Sequence, residues 1–207
     1  TDLLPTGGYC IDEYAEGQCD YSAISRCAQE NNRDAVEWLL NLGAQINYAA
    51  YGAAFGGHQA YAEELLKRGA DINWVSKGAA QGGYQAYAEE LLGRGADIDD
   101  VGYAAALGGY LAYAKSLLWR GANAHRMANG AAEGGHLAFA NELLRRGADI
   151  NHVALGAVLG GYHAYVEELL ERRANINSVS PGAALGGHQA YAEELLARGA
   201  DINWVSK

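Results

Sequence analysis

Between Gln85 and Arg94 the apolar residues Tyr87, Ala88, Leu91 and Leu92 stand at i, i+1, i+4 and i+5. That spacing is one stripe of a 3.6-residue helix, and it predicts a helix over these residues. Gly95 closes it, and Glu90 with Arg94 forms an i,i+4 pair on the wet side. Ahead of it, Asn73 has the chemistry of an N-cap for a shorter helix from Trp74 to Gln81. Gly82 and Gly83 stop that helix, because glycine takes the left-handed conformation a helix end needs. Nowhere does a β-branched, alternating stretch reach the length of a strand, so β content near zero is expected.

The same two-helix pattern recurs. "GADIN" or a relative begins at Gly43, Gly69, Gly95, Gly121, Gly147, Arg173 and Gly199, always 26 residues apart. A Gly pair recurs in register at 56–57, 82–83, 108–109, 134–135, 160–161 and 186–187. A strict period without insertions predicts stacked units, each touching mainly its neighbours. The chain therefore reads as one elongated array over 20–207 with no internal boundary. It has a capping unit at 20–42, 26-residue units from 43, and a truncated last unit at 199–207. Residues 1–19 are an N-terminal extension outside the repeat. Leu3, Leu4, Tyr9 and Ile11 either cover the capping unit or belong to a partly disordered segment. The stop partway through a unit reads as a cut from a longer array, leaving an apolar end layer of Leu195, Leu196 and Ile202.

Two columns account for the close stacking. First helices carry Gly78, Ala79 and Ala80 or their equivalents, small enough for neighbouring helices to approach. Second helices carry Tyr61, Tyr87, Tyr113, Phe139, Tyr165 and Tyr191, each followed by a Leu pair, and read as a core ladder. The unit 121–146 departs, with Ala124 for Ile and His125 for Asn, then Arg126 and Met127; a thinner core is expected there. Arg173 replaces a closing Gly and is expected at positive φ.

At "GGHQAYAEELLKRGADIN" the unit resembles the ankyrin repeat, in its Gly-His pair, its helix ending in Leu-Leu and its Gly-Ala-Asp-Ile-Asn. The resemblance runs from about Asp20 to Lys207, with Asn31-Asn32 replacing the Gly pair in an N-terminal capping repeat. It departs in length, because an ankyrin repeat has about 33 residues. The missing residues are those of the β-hairpin finger and the Thr-Pro-Leu-His turn. The fold implied is an all-α, helix-turn-helix repeat solenoid, ankyrin-like without β-hairpins. The resemblance also implies that first helices line the concave side and that the function is binding another protein.

Comparing the units with one another locates the variation. The position after the Asn holds Tyr48, Trp74, Asp100, Arg126, His152, Ser178 and Trp204. Three residues on stand Tyr51, Lys77, Tyr103, Asn129, Leu155 and Pro181, and four further Phe55, Gln81, Leu107, Glu133, Leu159 and Leu185. These offsets share one helix face. Tyr and Trp with Lys, Arg and Asp are residues of interface hot spots. The face from Tyr48 to Leu155 is therefore the candidate partner-binding surface, and packing against the next repeat's first helix is the alternative. Trp119 ends a second helix where other units have Lys, Gly, Arg, Glu or Ala, and reads as an outlier on the rim.

Charge narrows the partners. A net charge of −10 disfavours nucleic acid and anionic membrane surfaces. No apolar run approaches the roughly 18 residues of a membrane span. Cys10, Cys19 and Cys27 form no CxxC and read as free thiols of a reducing compartment. His58, His136 and His188 alternate with Tyr84, Tyr110 and Tyr162 in one column, a packing or capping position rather than a metal set. The Glu-Glu pairs repeat as a surface device, and no nucleophile motif or phosphate loop occurs. No enzyme, cofactor or metal is expected.

Three functions follow: a protein-binding module, the scaffold or targeting arm of a longer enzyme, or a structural array that self-associates end to end through its uncapped C-terminal repeat. Finger-poor arrays resemble secreted effectors of intracellular bacteria, or protist and viral proteins. A cytoplasmic location is expected, in the host if the protein is such an effector.

Overall fold

The computed structural model describes residues 21–201. They form fourteen α-helices and no strand. In chain order these are α1 (Tyr21–Gln29), α2 (Arg33–Asn41), α3 (Ile46–Phe55), α4 (Gln59–Lys67), α5 (Ile72–Gln81), α6 (Gln85–Gly93), α7 (Ile98–Leu107), α8 (Leu111–Trp119), α9 (Ala124–Glu133), α10 (Leu137–Arg145), α11 (Ile150–Leu159), α12 (His163–Glu171), α13 (Ile176–Leu185) and α14 (Gln189–Ala197). They fall into two compact units divided between Asp97 and Ile98. In the first, α1 packs on α3 and α3 on α5, while α2, α4 and α6 fold back on their hairpin partners. In the second, α7, α9, α11 and α13 stack in sequence, with α8, α10, α12 and α14 folded back in the same way. Each unit is thus the helix-turn-helix repeat array expected, without β-hairpins among the described residues.

The first helices touch backbone to backbone. A Cβ on Gly78 would lie 2.2 Å from the Tyr51 carbonyl oxygen, and one on Gly156 would lie 2.1 Å from that of Asn129. Ala53, Ala79, Ala105, Ala131 and Ala157 are fully buried alongside. Second helices supply the bulk: Leu65, Leu91, Leu117, Leu143, Leu169 and Leu195 have no exposed surface, and the aromatic column beside them is buried. Of the expected apolar end layer, Leu195 is fully buried and Leu196 half-buried, while Ile202 lies outside the described residues. Leu3, Leu4, Tyr9, Ile11, Cys10 and Cys19 also lie outside them. Cys27 is a free, buried thiol, and burial pushes its pKa up.

In the repeat 121–146, where a thinner core is expected, one buried first-helix position carries a longer side chain. Met127 stands in the column of Ala49, Val75, Val101, Val153 and Val179 and is fully buried. Its Cγ and Sδ lie 3.2 and 3.3 Å from where a Gly102 Cβ would be.

The turns differ from expectation in one informative way. Asn73 is not the N-cap. Asp71 is, and its carboxylate accepts from the Asn73 N–H at 2.8 Å. The Asn73 side chain reaches forward, where its Oδ1 accepts the Asp97 N–H at 2.8 Å. Asn47 does the same for Asp71 at 2.8 Å. In the second unit Asp99 serves Asn123 (2.7 Å), Asn151 serves Asn175 (2.7 Å) and Asn177 serves Asp201 (2.9 Å). Every one of these pairs is 24 residues apart. At these joints the backbone N–H that opens the next repeat is therefore satisfied by the preceding one. Arg173 has the expected positive φ, at 73°, and Asn31 replaces a turn Gly at 57°.

Candidate interaction face

The varying first-helix residues are mostly half-buried, because they lean on one another across repeats. In the first unit Tyr48 meets Trp74 edge-on, with ring centroids 5.0 Å apart. Tyr51 stacks on Phe55 at 6.1 Å and donates its hydroxyl to Gln81 Oε1 at 2.5 Å. The Lys77 ammonium lies 5.4 Å over the Trp74 ring. These six candidates form one aromatic patch on α3 and α5.

In the second unit Tyr103 donates to Glu133 Oε2 at 2.5 Å, 30 residues on, as Tyr51 does to Gln81. Arg126 pairs with the buried Asp100 carboxylate. Asn129 Nδ2 donates to the His152 carbonyl at 3.0 Å. Tyr103, Arg126, Asn129 and His152 line an open groove of ≈ 220 Å³. Leu107 and Leu155 are half-buried on the same helices and do not line it. Burial raises the Glu133 carboxyl above its ordinary range, and the Tyr103 bond opposes this only in part.

Sequence reasoning missed the pairing along this face. Where the middle position is Tyr, the last position one repeat later is an acceptor, Gln81 or Glu133. Where it is Asn129 or Leu155, that later residue is Leu159 or Leu185. An offset of 30 residues was the available signal. At Tyr51–Gln81 and Tyr103–Glu133 the varying residues are matched to each other across repeats.

The second helices carry an ionic lattice. Arg94 reaches back 31 residues to Glu63 at 2.6 Å, and Tyr87 donates to the same carboxylate at 2.8 Å. Arg198, Tyr191 and Glu167 repeat this at 2.7 and 2.6 Å. The expected Glu90–Arg94 pair is present but longer, at 3.4 Å. Burial pushes the Glu63 carboxyl up, but the Arg94 and Tyr87 bonds outweigh it and hold it below its ordinary value. For Glu167 the Arg198 bond leads, with the same direction. Lys115 replaces the Glu in one repeat; it turns to Glu142 at 2.8 Å, and its pairing Tyr becomes Phe139.

The Tyr/His column packs over turns. A Cβ on Gly135 would lie 2.2 Å from the Tyr162 hydroxyl, and one on Gly109 would lie 2.6 Å from His136 Cε1. These rings make no side-chain cap bonds at their helix starts. Trp119 is 83% exposed at the end of α8. No described helix is long and apolar enough to cross a membrane.

These features define an all-α array of stacked helix-turn-helix repeats, without β-hairpins among the described residues. No family model and no curated protein matches the chain. Among solved structures it is similar to the crystal structure of the human ASB11 ankyrin repeat domain. Sequence identity is 20% over 74% of this chain and 84% of that one, with a TM-score of 0.40.

Proposed function

We propose that the protein is a protein-binding module whose partner docks on the first-helix face, rather than an enzyme. The observation carrying this reading is the contrast between the two sides. Second helices largely repeat one residue set, with the ionic lattice departing at Lys115, Phe139 and Asn141, while first helices vary more widely in chemistry and open a groove bounded by Tyr103, Arg126, Asn129 and His152. Rigid aromatics with an oriented guanidinium are the groups that dominate interface energetics. Asp100 holds Arg126 in place, so its remaining N–H donors are presented at little entropic cost. Trp74 with Tyr48, Tyr51, Phe55, Lys77 and Gln81 forms the companion patch of the first unit.

The test is site-specific photocrosslinking in eukaryotic lysate. A photoreactive residue at His152 should trap a defined protein, and one at exposed Ala86 on α6 should not. A partner trapped equally from both positions, or from Ala86 alone, would move the binding surface off this face. A function as the targeting arm of an enzyme predicts the same crosslink, with the catalytic domain elsewhere in a longer chain. End-to-end self-association predicts that the trapped protein is a second copy of this one.

A further inference from the structure

One joint between repeats is chemically unlike the others. The N–H of Asp149 donates to His125 Nδ1 at 2.9 Å, in the register where the other described joints use a side-chain oxygen. Asn and Asp oxygens accept throughout the neutral range. An imidazole nitrogen accepts only while it carries no proton. We propose that His125 is a proton-operated joint between the repeat 121–146 and the one that follows. Neutral His125 closes the joint. Protonation at Nδ1 sets a donor against the Asp149 N–H and opens it.

The surroundings favour an effect on the groove. His152 lies across the same joint, with its ring centroid 5.8 Å from that of His125. The Asn129–His152 bond spans this joint as well. Opening it therefore displaces His152 relative to Arg126 and Asn129, three of the groove's four walls. The charged neighbours do not substitute for the lost bond. On the same helix Arg126 is held by Asp100 of α7. Asp99 of α7 is occupied by the Asn123 N–H. Across the joint, the Asp149 carboxylate caps α11 through the Asn151 N–H and lies 3.5 Å from His152 Nδ1. On α10 and at its two caps, Glu142 is taken by Lys115 and Arg146, Arg145 reaches the Asn141 carbonyl, and His136 lies against Gly109. Protonated His152 and Arg126 add repulsion to a protonated His125. The inference concerns the joint and does not depend on what the groove binds.

The experiment follows the Asp149 amide by ¹H–¹⁵N NMR from pH 7.5 to 5, with chemical unfolding of wild type and His125→Asn over the same range. The Asp149 amide should titrate once across this range, and should still do so in His152→Asn. In His125→Asn it should stay flat. The unfolding constant of wild type relative to His125→Asn should rise by about 2- to 10-fold as pH falls. Parallel unfolding curves, an amide that does not titrate in wild type, or one that stops titrating in His152→Asn overturns the proposal. Should His125→Asn fail to fold, the wild-type and His152→Asn amide titrations decide alone.

Discussion

The Tyr103 hydroxyl donates to Glu133 Oε2 across two stacked repeats at 2.5 Å, and the Tyr51–Gln81 bond reproduces it with a neutral acceptor. The two pairs share a register and differ in one charge. Glu133 is held above its ordinary value of 4.5 by burial, so its carboxylate form is penalised in the fold. Its contribution to stability is fully present below that ordinary value and is lost as pH rises through the folded value. Glu133→Gln should therefore stabilise the protein at pH 7, by about 0.5–1 kcal/mol. The gain should vanish below about pH 4, where the carboxyl is protonated in both states. Urea unfolding at the two pH values measures both.

Glu63 and Glu167 have the opposite sign. Each is depressed in the fold, so its contribution is present above the ordinary carboxylate range and is lost as pH falls through the folded value. Glu63→Gln should cost about 1 kcal/mol at pH 7, and Glu167→Gln less, because Glu167 is more exposed and solvent screens its charge. The difference from wild type should close on acidification, as unfolding at pH 7 and pH 3 would reveal.

Lys115 and Phe139 should behave as a coupled pair. The Lys115 ammonium lies 5.5 Å over the Phe139 ring. Phe139→Tyr alone places a hydroxyl beside a cation with no carboxylate to receive it. With Lys115→Glu it regains the Tyr87–Glu63 arrangement. A double-mutant cycle should return a favourable coupling of about 1 kcal/mol. Additivity of the two changes would show that the pair is accidental.

Two glycines separate propensity from packing. Gly93 ends α6 with nothing within 4 Å of an added Cβ, so Gly93→Ala should stabilise by about 0.5–1 kcal/mol. Gly156 would bring its Cβ to 2.1 Å from the Asn129 carbonyl oxygen, so Gly156→Ala should cost about 2 kcal/mol or more. Thermal melts of the two variants should move in opposite directions.

The sequence by itself determined the local structure. The period of 26, the two helices per unit and the Gly turns were legible because they follow from residues a few positions apart. The positive φ of Arg173 was legible for the same reason. The varying face was legible as a set of positions on one side of a helix. The tertiary structure alone decided what those positions meet. It turned Asn73 from a cap for its own helix into an acceptor for the next repeat, and moved the cap to Asp71. It joined Tyr103 to Glu133 at an offset of 30 and Arg94 to Glu63 at 31. Neither offset is the repeat length, because the translation and rotation between stacked repeats bring side chains from different positions of the unit face to face. A periodic sequence specifies what recurs. The step from one repeat to the next, set by glycine contacts such as Gly78 on the Tyr51 carbonyl, fixes which recurring groups touch.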